Sequence, residues 1–175
     1  MKMKLSDWAH IAEIIGGIAI IASLIFVGVQ IEENSRAVRS ATFQAITETD
    51  MNWLENLVDD NELAIAWNKM LIDHTQLEGI EWARLDWVIT MLMRNFENMH
   101  EQYQADVLSE ERWQSTRNII DYIFTTGGMF CWFRKADNPQ LFTGRFREIL
   151  EESYRNSPLQ DQPMDCPELP ALIGG

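Results

Sequence analysis

The stretch IIGGIAIIASLIFVGV, residues 14–29, carries no charge and is filled mostly by Ile, Leu, Phe and Val. Extended to Ile11 and Ile31 it covers about 21 residues, or ~31 Å of helix at ~1.5 Å per residue. That length matches a hydrocarbon core of ~30 Å. On an insertion scale its bulky residues contribute very roughly −3 to −6 kcal/mol in favour of lipid. Glu13 falls at the edge, where the penalty for a charge is smaller, and Trp8 and Lys4 stand outside it as an interfacial aromatic and a snorkelling cation. Residues 11–31 therefore read as a transmembrane helix after a short head at residues 1–10.

Two other readings compete. A secretory signal peptide has an apolar region of only ~7–15 residues followed by a small-residue cleavage site, whereas this stretch is longer and runs into VQIEENSRA. A buried core helix uses about 10–14 apolar residues, again fewer than here. The flanking charges do not orient the helix, because Lys2 and Lys4 on one side balance Arg36 and Arg39 on the other. A head this short translocates readily, and no cysteine pair calls for oxidation, so the expected side for the C-terminal domain is the cytoplasm.

Within and beyond the apolar stretch, alternate steps of three and four from Ala9 reach Ala12, Gly16, Ala19, Ser23, Phe26, Gln30, Glu33, Ala37, Ser40 and Gln44. A spacing near 3.5 puts them on one helix face. Nearly all are small or polar, while Ile14, Ile18, Ile21, Ile25 and Val29 fall largely elsewhere. Lipid is as apolar as a neighbouring helix, so close backbone approach at Gly, Ala and Ser is what favours helix contact. Ala12, Gly16, Ala19, Ser23, Gln30 and Glu33 are thus the expected oligomer interface. No proline or glycine interrupts residues 29–57, so one helix is expected to leave the bilayer and enter the folded domain.

Past the membrane, residues 32–157 show amphipathic helical spacing and no sustained alternation of period two. The fold class is all-α: an N-terminal transmembrane helix continuing into a small helical bundle. The first helix is expected to end near Asp59, Asp60 and Asn61, and a second to run from about Glu62 to Asp73. Thr75 and Glu78 form a capping-box pattern for a third, which carries Leu85, Val88, Ile89, Leu92, Phe96, Met99 and Tyr103 at steps of three or four and should be central to the core. Ser109 caps a fourth, expected to close at Gly127-Gly128. MFCWFRKA reads as a brief bridge. Asn138 and Pro139 are expected to open a last helix through about Tyr154, before a Pro-rich irregular tail at residues 158–175.

The 175 residues suit one domain plus an anchor. Lys and Arg number 14 against 27 Asp and Glu, a formal charge of -13, so no broad cationic surface exists to meet nucleic acid or anionic headgroups. Cys131 and Cys166 are the two cysteines, one in an aromatic run and one in the tail. They build neither a disulfide framework nor a zinc site, and suit a reducing compartment.

The opening WAHIAEIIGGIAIIASLIFVGVQIEENSRAVRSATFQ, with ERW and GGMFCWFRKADNPQLFTGRFREIL further on, resembles a widespread group of uncharacterised bacterial single-pass membrane proteins. The likeness is strongest around Gln30, Ile31, Asn34 and Ser35. It implies a short head, one membrane helix and a small C-terminal helical domain; it implies no activity.

Chemistry is sparse. Glu97 and His100 form a Glu-x-x-His step that puts a carboxylate and an imidazole on one helix face, as di-metal helical bundles require. Those bundles use two such steps and two further glutamates, and only one step occurs here. The competing reading is a histidine completing the core edge beside Phe96 and Met99. There is no nucleophile elbow, Cys-His signature or phosphate-binding loop, and no cofactor is implied. Five of the seven tryptophans, Trp67, Trp82, Trp87, Trp113 and Trp132, read as core and interface. The leading expectation is a membrane-anchored, self-associating helical protein serving as scaffold, sensor or interaction module, with lipid, itself and an unidentified protein as partners. The alternative is a small oligomeric channel lined by Ser23, Gln30 and Glu33, with Glu13 an acidic mouth. A metal-dependent enzyme using Glu97 and His100 is third.

Overall fold

The computed structural model describes residues 4–134 and 138–166. They form six α-helices and two short 3-10 turns, with no strand among the described residues. The chain divides into two compact units, Met1–Thr42 and Phe43–Gly175. Helix α1, Leu5–Asp59, is one 55-residue helix, as the absence of breakers demands. It stops where Asp60 turns extended and accepts the Leu63 N–H at 3.0 Å, capping α2, Asn61–Ile72.

In the second unit the α1 segment buries Ile46 and turns Trp53 and Leu57 toward the core. Helix α2 adds Leu63, Ala66 and Met70. Asp73 then accepts from the Thr75 N–H and hydroxyl and holds a 3-10 turn, His74–Gln76. The Thr75–Glu78 capping expectation is therefore corrected: Glu78 itself caps α3, Gly79–Gln104, and its N–H donates to the Glu81 carboxylate at 2.8 Å. Glu81 is also gripped by Lys69 of α2 at 2.7 Å. Central α3 buries Leu85, Ile89, Leu92, Phe96 and Met99 of the stripe that the 3-4 spacing marked, with Val88 and Tyr103 partly buried, and adds Met93.

Ser109 caps α4, Glu110–Ile123, by accepting the Arg112 N–H. The helix ends before Gly127-Gly128, not at it; those glycines open α5, Gly127–Arg134. Their role is close approach, not a left-handed cap, and no glycine among the described residues has positive φ. A Cβ on Gly128 would lie 2.2 Å from Met70 Cγ and 2.6 Å from the Met70 carbonyl oxygen. Helix α5 can thus seat Met129, Phe130, Cys131, Trp132 and Phe133 in the core. Trp132 Nε1 donates to the buried Asp86 carboxylate at 2.8 Å, tying α5 to α3. Asn138 and Pro139 open only a 3-10 turn, Asn138–Leu141; α6 starts later, at Gly144–Arg155, with Thr143 as its N-cap. Of the five tryptophans, Trp82, Trp113 and Trp132 are buried, Trp67 is partly buried, and Trp87 is 62% exposed, so the last is not core.

The cysteine reading is also corrected. Cys131 and Cys166 are disulfide-bonded, with Cα atoms 5.3 Å apart across 35 residues. On a chain-entropy model such a bond restricts the unfolded state by about 3–4 kcal/mol. The described part of the tail has turns but no helix, as its prolines require, yet it is held down. Ser157 Oγ donates to the Phe124 carbonyl at 2.8 Å, His74 Nε2 lies 3.1 Å from the Asp165 carbonyl, and Met164 packs against the core. The rest of the expected tail, residues 167–175, lies outside the described residues.

Gly128→Ala should lower the stability of the second unit by about 1–3 kcal/mol, because backbone as well as the Met70 side chain must move. Gly144→Ala meets nothing within 4 Å and should be neutral or raise it by up to about 1 kcal/mol. Denaturant titration of both variants, followed by tryptophan fluorescence, checks the pair; equal behaviour would contradict the α2–α5 packing described here.

Candidate functional site

The first unit has one feature: an apolar helix left uncovered by the described residues. Ile14, Ile18, Leu24, Ile25 and Phe26 are each more than half exposed, and none of the most apolar stretch of α1 is buried. A core helix of a soluble protein is mostly buried, whereas no part of this apolar window is buried. This is the one helix among the described residues long and apolar enough to cross a membrane. Ala12, Gly16, Ala19, Ser23, Gln30 and Glu33 lie on that helix, all exposed, as is Glu13. A Cβ at Gly16 would meet nothing within 4 Å, so the glycine serves no contact inside this chain. At ~25 cal/mol per Å² of apolar surface, such a helix is costly to leave in water.

Glu97 and His100 are brought onto one buried face of α3, but as structural groups. The Glu97 carboxylate accepts the Thr143 N–H at 2.6 Å through one oxygen and Arg94 at 2.7 Å through the other. It therefore holds the start of α6. Burial by itself pushes this carboxyl up, but the hydrogen bonds from Thr143 and Arg94 outweigh it and hold it below the usual range. His100 stacks at 4.9 Å on Trp113 and lies near Phe146, and its Nδ1 is buried without a partner in the described residues. Burial pulls the imidazole below its ordinary value. No group of three or more metal-ligating side chains occurs among the described residues, so the second Glu-x-x-His half that a di-metal bundle needs has no counterpart there.

Two open grooves flank Trp53 in the second unit. One, of about 430 Å³, is walled by Trp53, Trp67, Phe96 and Met99 with Arg112 at its border; the other, of about 640 Å³, runs past Leu57, Arg84 and Met91. Trp53 and Trp67 meet edge to face at 5.0 Å. The Arg112 guanidinium lies 4.6 Å over the Phe43 ring, and its Nε is buried without a hydrogen bond. On the α1 segment itself, Met51, Leu54 and Val58 stay exposed beside the buried Ile46. Sequence reasoning passed over Arg112, the exposed apolar residues after Gln44, and the disulfide. The spacing signal for Met51, Leu54 and Val58 was present; nothing in the spacing of Cys131 and Cys166 announces their bond.

No protein-family model, curated protein or solved structure matches this chain.

Both groups on α3 have folded values below their unfolded ones, so the unfolded chain binds more protons as pH falls and acid destabilises the fold. The His100 contribution is complete above about pH 6.5 and declines below it; that of Glu97 is complete above about pH 4.3 and is lost below that. Thermal midpoints of the full chain should therefore fall from neutral pH downward. In Glu97→Gln the acid limb should flatten. A midpoint that rises on acidification would contradict these assignments.

Proposed function

We propose that the chain is a membrane-anchored, self-associating helical protein whose C-terminal unit acts as a scaffold, sensor or interaction module. One observation carries this reading: α1 has an apolar length that none of the described residues covers, with a face of small and polar residues along it. Lipid can cover the Ile-rich side. The face through Gly16, Ala19 and Ser23 lets a second backbone come close, and Ser23 and Gln30 can hydrogen-bond across it, each contributing about 0.6–2 kcal/mol. The resemblance to bacterial single-pass proteins supports the same architecture. Glu97 accepts the Thr143 N–H at the start of α6 and His100 packs on Trp113 of α4, which supports a structural part for both side chains.

The exposure of Ser23, Gln30 and Glu33 also favours a second reading, a ring of chains around a water-filled path. Particle mass separates the two, since a dimer encloses no such path. In either case the disulfide supports a domain in an oxidising compartment outside the cytoplasm. The cytoplasmic placement drew on the lack of a cysteine pair, and that premise no longer stands.

Gly16→Leu should separate the backbones and reduce the mass of the intact particle in a bilayer disc to that of one chain. An unchanged multimer in the variant would remove Gly16 from the interface, and a monomeric parent would end the self-association reading. Cys131 and Cys166 in freshly isolated membranes should resist a maleimide until a reductant is added. Immediate alkylation of both would return the domain to the reducing side.

A further inference from the structure

The 3-4 alternation does not stop at Gln44. Its next steps are Thr47, Met51, Leu54 and Val58, and in the folded unit the last three are 60%, 47% and 78% exposed. Ile46, Trp53 and Leu57, one position earlier in each turn, face the core. The α1 segment thus serves its own unit with one stripe and leaves the adjacent apolar stripe uncovered. Isolated exposed apolar residues are ordinary, but three in heptad phase, continuing the phase of the membrane face, specify a partner of the same periodicity.

We infer that residues 43–58 pair with the same segment of a second copy as a parallel two-stranded coil. This rests on the self-association proposed above and extends it from the bilayer into the folded unit. Two chains inserted in one membrane with the same orientation have parallel helices, so a homotypic contact brings like residues together. Met51 and Val58 then take the a positions and Leu54 the d position, and a β-branched residue at a with leucine at d favours two strands.

Arg112 supplies an independent observation. In a chain with 14 bases and 27 acids, its guanidinium makes no ion pair among the described residues, and its Nε is buried without a partner. It is fixed over Phe43, which immediately precedes the a position at Gln44 and is therefore a g residue. In a parallel coil a g residue faces the e residue about five further along the other strand, here the partner's Glu48. The guanidinium, which has no ion pair among the described residues, stands where the second chain brings a carboxylate. The next pair in register, Asp50 with the partner's Glu55, is acidic on both sides and works against association. The apolar stripe and Arg112 must outweigh it.

The test uses the full-length chain in bilayer discs. Leu54→Cys and, as a control on the far side of the helix, Asn56→Cys are treated with a short bis-maleimide without reductant, the native cysteines being bonded to each other. Leu54→Cys should yield covalent dimer at about tenfold the level of Asn56→Cys. Glu48→Arg in the Leu54→Cys background should lose most of that product, and adding Arg112→Glu should restore it. Particles of more than one chain with no preference for Leu54→Cys would overturn this inference while leaving association through the Gly16 face standing. Particles of a single chain would overturn both. Failure of Arg112→Glu to rescue Glu48→Arg would overturn the charge pairing.

Discussion

An apolar helix that none of the described residues buries is the constraint on which the rest depends. The helical conformation satisfies every interior backbone hydrogen bond, so residues 11–31 can be solvated by hydrocarbon without further partners. The same feature makes them costly in water. The flanks of the stretch fit that cost, with Glu13 at its margin and Trp8 and Lys4 outside it.

The folded unit solves a different problem, which is to pack bulky side chains around α3 with few residues. It does so by letting α5 approach α2 through Gly128, by seating Trp132 on Asp86, and by using Glu97 to hold the first turn of α6. The disulfide then ties the Pro-rich tail, which has no helix of its own among the described residues, to the buried α5. Buried ionisable groups here are joints between helices. Glu97 shows this most clearly, since both carboxylate oxygens are occupied by α6 and Arg94.

Much of the fold was legible. The Leu85–Met99 spacing located the central helix, Asp59–Asn61 marked the end of α1, and Ser109 marked the start of α4, because periodicity and capping are local and need no tertiary knowledge. The errors share a cause. Thr75, Gly127-Gly128 and Asn138-Pro139 are residues whose local preference is ambiguous, and tertiary contact decided each. Asp73 claimed Thr75, Met70 required a glycine at 128, and the Glu97 carboxylate took the Thr143 N–H. The disulfide was illegible for the same reason: a separation of 35 residues says nothing about proximity. In the first unit the small-residue face was visible as spacing, whereas the lack of an ion pair at Arg112 among the described residues appears only once the helices are placed.

The central claim is that residues 11–31 reside in lipid as part of the mature chain. Alkaline extraction of membranes containing the full-length protein, with the N-terminal peptide identified by mass spectrometry, tests it most directly. The intact chain should stay in the membrane pellet after extraction and leave it only with detergent. Intact chain in the detergent-free supernatant, or a pellet-free product lacking its first thirty or so residues, would contradict it.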